Sequence, residues 1–303
     1  MAVLELQNLT KQFGGTTVVD NINLHVEQGE VFGFLGPNGA GKSTTINMLL
    51  DFVRPTSGDI AVFGQNPTLS SRAVRERIGV LPEGYNLYDR LSARKHITLA
   101  IEMKRSNENP DEILQRVGLT ANAEQPVGNF SKGMQQRLAL GMALVGRPDL
   151  LILDEPTSGL DPNWVHQLRE IIRDEADRGA TIFFSSHVLE QVEAVCDRIA
   201  IMQSGEIVAL DSLEGLRETT GQNPTLVLSV ESVPKTHTID TIEGVEDVMA
   251  TDDTFHIVYS DSRAKAAAIS TIEEAGITIT DIGVKEASLE QIFTKHTLNG
   301  ETA

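Results

Sequence analysis

The sequence predicts a large α/β domain followed by a small α+β domain. Three observations carry that expectation. Strand and helix patterns alternate from the N-terminus to about residue 220. Several of the strand patterns are short, continuous apolar runs, as suits strands buried on both faces of a sheet. A polar Gly/Asn/Pro segment, TTGQNPT at 219–225, then breaks the pattern, and the chain beyond it is more acidic.

In chain order, VLELQNL (3–9) and VVDNINLHVEQ (18–28) alternate apolar and polar residues, as half-buried strands do. VFGFLG (31–36), LLILD (150–154) and TIFFSS (181–186) are the continuous apolar runs. Helical patterns lie between them: TTINMLLDF (44–52), SARKHITLAIEMKR (92–105) and NWVHQLREIIRDEADRG (163–179), the last ending at a capping Gly179. A further helix, VLEQVEAVCDRI (188–199), carries the single cysteine, Cys196, on its apolar face as a buried core thiol. RIAIMQSGEIVALD (198–211) reads as a hairpin turning at Ser204 and Gly205. These elements place a first domain at 1–220 and a second at 221–303. The second reads strand (225–231), strand pair (245–260), helix (263–276) and strand (277–284), a ferredoxin-like arrangement. A last helix, SLEQIFTKH (288–296), stacks Leu289, Ile292 and Phe293 at i, i+3 and i+4.

Composition bounds the surroundings. The formal net charge is −18, and residues 222–303 alone carry −9. Such a field repels a phosphate backbone, so no nucleic-acid partner is expected. The excess of carboxylates fits a protein kept hydrated in a salt-rich cytoplasm, against the plainer reading of an ordinary acidic protein. The longest apolar runs, such as LLIL (150–153), fall far short of the roughly 20 residues that span a bilayer. The N-terminal MAVLELQNLT has neither the basic start nor the apolar core of a secretory signal.

Four stretches carry chemistry. GPNGAGKST (36–44) sits between a buried strand and an apolar helix and matches GxxxxGK[ST], the phosphate-loop pattern, in the required context. Gly36, Gly39 and Gly41 let the backbone curl so that successive N–H groups face phosphates. Lys42 would reach the β- and γ-phosphates of ATP, and the Ser43 hydroxyl would coordinate Mg²⁺. LLILDEP (150–156) delivers Asp154 and Glu155 to the end of a buried strand, where open α/β sheets bind ligands. Asp154 suits a Mg²⁺ partner, and Glu155 suits the base that orients or deprotonates water. His187 ends TIFFSSH at the same edge, placed to donate to the γ-phosphate. NFSKGMQQR (129–137) opens a helix with Ser131 and Gly133 in its first turn, which is the chemistry of a second anion site.

Together these residues resemble the ATP-binding subunits of ABC transporters. The resemblance covers about residues 3–220 and rests on six motifs in the family's order: KQFGG, the phosphate loop, LPEGYNLYDRLS (81–92), FSKGMQQR, LLILDEP with SGLD (158–161), and His187. It implies the P-loop ATPase fold of ABC type, with a mixed sheet, an antiparallel section and a helical subdomain at about 84–147. It also implies that Phe13 stacks on adenine. Pro37, Asn38, Ala40 and Thr44 complete the phosphate cradle, and Asp161 joins the nucleotide-binding set. Ser131 and Gly133 would bind the γ-phosphate of ATP held by a second subunit, the two chains packing head to tail. Lys132 and Met134 depart from the family's second glycine and glutamine there. Glu83 stands where the family has a glutamine that contacts Mg²⁺. A carboxylate can still ligate the metal but adds charge beside ATP. The segment following Glu83, to about Ser92, resembles the surface that receives a separate transmembrane permease. The tail ending ASLEQIFTKHT resembles the small C-terminal domain of drug- and sodium-export type members.

The resemblance thus implies an ATP-hydrolysing subunit, a homodimer or heterodimer, held to the inner face of the membrane through its permease. A soluble ABC-type ATPase, acting as a mechanochemical or regulatory switch, is the rival reading. Acting on ribosomes or DNA, it would show tandem phosphate loops, a long heptad insertion or a basic face, none of which the sequence contains, and against a non-hydrolysing regulator stand Glu155 and His187. If the charge reflects a saline cytoplasm, the melting temperature should rise between 0.1 M and molar salt, where the Debye length shrinks from about 10 Å to about 3 Å. A flat or falling melting temperature over that range would contradict the saline reading.

Overall fold

A computed structural model of the protein describes residues 2–66, 72–219, 223–231, 239–251 and 253–285. Its chain divides into two compact units, 1–213 and 214–303. The division falls earlier than the 220/221 boundary expected from composition.

The larger unit begins with strands β1 (Ala2–Phe13), β2 (Thr16–Glu27) and β3 (Val31–Leu35), then helix α1 (Lys42–Leu49). Next come β4 (Ser57–Val62), α2 (Arg72–Glu76) and β5 (Ile78–Leu81). Three helices follow, α3 (Ala93–Lys104), α4 (Pro110–Arg116) and α5 (Lys132–Leu144). The unit continues with β6 (Leu150–Asp154), α6 (Pro162–Asp177), β7 (Thr181–Ser186) and α7 (Leu189–Glu193). It closes with β8 (Arg198–Gln203) and β9 (Glu206–Ser212), after which α8 (Leu213–Thr219) starts at the division.

A six-stranded sheet in the order β5-β6-β7-β3-β8-β9 forms the centre, parallel except for the β8–β9 pair. Every residue of β3, β6 and β7 is buried, as their unbroken apolar sequences predict. Phe32, Phe34 and Phe183 cluster across β3 and β7, with ring centroids 5.2–5.8 Å apart. A three-stranded antiparallel sheet, β2-β1-β4, supplies the half-buried strands. The β8–β9 turn places Ser204 and Gly205 at φ 48° and 92°, the two left-handed residues that fit the twist of a two-residue hairpin. Helices α3, α4 and α5 pack on one another within the stretch expected to form a helical subdomain. Buried Glu175 of α6 ties them to the core, accepting from Arg116 of α4 at 2.7 Å and from Arg178 at 2.6 Å.

One helix stops short of its periodicity. The helix expected over 188–199 ends at Glu193, so Cys196 lies beyond α7. The cause is the sheet: Asp197 donates its N–H to Val31 O and accepts from Val31 N, drawing the chain into register beside β3. Cys196 is buried all the same, and burial pushes its thiol pKa up. The helix expected at 288–296 lies outside the described residues.

The smaller unit contains β10 (Thr225–Val230), β11 (Val245–Ala250), β12 (Thr254–Tyr259), α9 (Ser262–Glu274) and β13 (Ile279–Lys285). Its sheet runs β11-β12-β10-β13 with every pair antiparallel, the strand order of a ferredoxin-like fold. Leu226, Leu228, Phe255 and Ile257 face Ala264, Ala268 and Ile272 of α9 in a separate core.

Candidate active site

The parallel strand order decides the site. Strands β3, β6 and β7 are neighbours, so the segments leaving their carboxyl ends meet at one edge. Gly36 follows β3 with its N–H on Ser186 O, and a Cβ there would lie 2.3 Å from Met202 O, so the close approach needs glycine. Gly41, at φ 109°, turns the loop into α1. Among the described residues, the amides of Asn38, Gly39 and Gly41 through Thr44 find no acceptor in the chain. With no acidic residue in its first turn, α1 presents those amides and its positive end to a cleft of about 250 Å³. The phosphate loop, Val18, Glu83 and Glu155 wall that cleft.

Lys42 is buried and its Nζ donates to Gly36 O at 2.7 Å and Pro37 O at 3.3 Å. It also lies 3.5 Å from Glu155 Oε1, an oxygen with no hydrogen-bond partner among the described residues. Glu155 Oε2 sits 2.8 Å from His187 Nδ1. A continuous Lys42–Glu155–His187 contact therefore spans the three strand ends. With Nδ1–H donated to Glu155, His187 can donate from Nε2 only as the imidazolium, which narrows the donor role expected of it.

Asp154 is buried, and its Oδ1 accepts from Ser185 Oγ at 2.5 Å. Burial raises its pKa against the lowering by Ser185, and the charges of Glu83 and Glu155 raise it further. Across the cleft, Ser43 Oγ donates to Glu83 Oε2 at 3.5 Å. The donor set of Ser43, Glu83 and Asp154 is all oxygen, which fits a hard divalent cation such as Mg²⁺ sharing the phosphates' charge.

The remaining expected residues lie off this cleft. Phe13 ends β1 with its ring half exposed and Lys11 Nζ 4.7 Å from the ring centroid; Val18 is the β2 side chain on the cleft wall. Ser131 caps α5, its Oγ accepting from Met134 N at 3.2 Å, and is exposed. Gly133 is in the first turn of the same helix, where a Cβ would lie 3.4 Å from Gly159 O. Asp161 caps α6, accepting from Trp164 N at 3.1 Å. Ser131, Gly133 and Asp161 do not line their own chain's cleft. Ser185 escaped the sequence reading because a serine inside an apolar run carries no sign of its partner.

The ABC transporter family profile matches residues 19–158. The bacitracin transport ATP-binding protein of Bacillus licheniformis is 36% identical, over 97% of this chain and 96% of that protein. The chain belongs to the ABC transporter ATP-binding proteins. A solved ATP-binding subunit of an ABC transporter aligns at TM-score 0.67 and 30% identity, covering 72% of this chain and 93% of that one. A dimeric ATP-binding cassette in a post-hydrolysis state, bound to ADP and Pi, aligns at TM-score 0.63 and 25% identity, covering 69% and 98%. This ABC subunit is an ATPase coupled to transport, and no helix among its described residues is long and apolar enough to cross a membrane.

The raised Asp154 pKa has a stability consequence. The folded, metal-free protein holds that proton more tightly than the unfolded chain, so stability is lost as pH rises from the ordinary carboxylate range through the raised pKa. Asp154→Asn should raise the melting temperature of nucleotide-free protein in EDTA by a few degrees at neutral pH, and the gain should vanish in acid. A lower melting temperature at neutral pH would show that Asp154 is stabilised as the anion.

Proposed function

We propose that this ABC ATPase works as a head-to-tail dimer that closes on ATP and drives a separate permease in export. The single observation that carries the dimer is the division of the predicted site: the phosphate loop, Asp154, Glu155 and His187 meet at one edge, while Ser131 and Gly133 lie off that cleft. A second copy would complete each site. The whole-length likeness to a bacitracin transport ATP-binding protein supports the export reading.

Each residue then has a task. The loop amides and Lys42 bind the phosphates; Lys42 exchanges its contacts with Gly36 O and Pro37 O for phosphate oxygens. Ser43, Asp154 and Glu83 would hold Mg²⁺, which when bound supplies charge neutralisation at the phosphates. Glu155 takes the proton of the attacking water on Oε1, the oxygen without a hydrogen-bond partner among the described residues, while His187 holds the other oxygen and fixes its direction. Ser131, Gly133 and the first turn of α5 close on the γ-phosphate from the partner chain. Phe13 stacks on adenine at the outer end of β1, and Asp161 caps α6 at the dimer seam. The segment to about Ser92 meets the permease at the inner face of the membrane.

Glu155→Gln should bind ATP normally, form a stable ATP-dependent dimer and hydrolyse about 100-fold more slowly or worse. Adding Ser131→Arg to that variant should abolish the dimer while ATP binding to the monomer stays near the wild-type value. Loss of monomer ATP affinity, as expected for Lys42→Ala, would mean that Ser131 serves its own chain's nucleotide. Wild-type turnover by Glu155→Gln would remove Glu155 from the chemistry.

A further inference from the structure

The turn that carries Glu155 is held by side chains that take no part in the cleft. Glu155 has φ 48°, a left-handed conformation that a residue with a Cβ keeps only when its surroundings over-determine it. Its own N–H is fixed by Ser185, through the carbonyl at 3.2 Å and Oγ at 3.1 Å. The next two residues are fixed from opposite directions. Gln136, buried one turn into α5, donates from Nε2 to Pro156 O at 3.2 Å. Gln191 of α7 accepts through Oε1 from the Thr157 hydroxyl and from Ser186 Oγ, the latter at 3.2 Å. Ser186 Oγ in turn accepts from Val188 N at 3.0 Å, shaping the turn around His187. Neither glutamine lines the cleft.

We infer that Gln136 and Gln191 are positioning residues that clamp the Glu155–Thr157 turn between the α5 helix and the His187 turn, so that nucleotide bound at the start of α5 sets the catalytic carboxylate of the same chain. The inference rests on the reading that Ser131 meets the partner's nucleotide. Gln136 lies five residues after Ser131 on one helix, and a helix transmits a small rotation of its first turn to the next. The side-chain amide passes that movement to Pro156, whose peptide neighbour is Glu155. On the other side, Gln191 keeps Thr157 and Ser186 in step, so Glu155 and His187 move as a pair. Each chain's general base is thereby tied to the site it completes for its partner, and the two sites of a dimer become linked through ordinary hydrogen bonds. A rigid connection is needed because displacements of about 1 Å at a catalytic group cost on the order of 100-fold in rate.

Gln136→Met keeps the approximate size of the side chain and removes the amide that donates to Pro156 O, and Thr157→Val removes the other link while leaving Gln191 unchanged. In the full chain, each should lower kcat about 10- to 100-fold. KM for ATP, monomer ATP affinity and melting temperature should stay near wild type. Combined with Glu155→Gln, each should still dimerise with ATP, which separates this clamp from Ser131→Arg, where dimerisation itself fails. Unchanged kcat in both variants would overturn the inference. A fall in ATP affinity or dimerisation matching the fall in kcat would overturn it too, by showing a merely structural role. If Ser131→Arg leaves dimerisation intact, the trans reading fails while the clamp result still stands or falls on kcat alone. Should Gln136→Met fold poorly, Thr157→Val carries the same decision.

Discussion

The contact running from Lys42 through Glu155 to His187 is the constraint on which the site depends. It needs three segments far apart in sequence to arrive at one sheet edge, and only the neighbouring parallel strands β6, β7 and β3 provide that. Their burial on both faces supplies the driving force, since each wholly apolar run must be covered by helices on one side and the second sheet or further helices on the other. Polar groups emerge only where the strands end. There, one ammonium faces a cleft otherwise walled by carboxylates and open amides. In the proposed function, polyphosphate would supply negative charge to the amides, and a divalent cation would offset Glu83 and Asp154.

Lys42 donates to Gly36 O and Pro37 O, and burial raises the Asp154 pKa. The proposed dimer extends the site across two chains. In that proposal the α5 start presents the exposed Ser131, and Gln136 carries the consequence inward to the turn at Glu155. Glu83 adds a carboxylate to the cleft wall at the position where the family resemblance implies a glutamine.

Much of this architecture was legible in the amino-acid sequence, because it rests on local patterns. The runs VFGFL, LLILD and TIFFSS could only be strands buried on both faces, and the phosphate loop announces itself by spacing. Ser92 and Asp161 cap the helices that the periodicity predicts. The strand order of the small unit follows its strand–strand pair–helix–strand pattern. What the sequence hid are partnerships set by tertiary contact. Ser185 reads as one more residue of an apolar strand, yet it is the donor to Asp154. Gln136 and Gln191 look like ordinary helix residues until the fold sets them against Pro156 and Thr157. The end of α7 is hidden too, because periodicity continues through Cys196 while the sheet, by pairing Asp197 with Val31, stops the helix sooner.

The central claim, that Ser131 completes the cleft of a second chain, reduces to a proximity between two copies. Ser131→Cys on one chain and Asn38→Cys on another, in the Glu155→Gln background, place single thiols on the α5 cap and the phosphate loop; the native Cys196 is buried and its thiol held protonated. With ATP and Mg²⁺, mixing the two chains under oxidation should give a disulfide-linked heterodimer, and omission of ATP should prevent it. Absence of that crosslink with ATP present, in chains that still bind the nucleotide, would contradict the shared site.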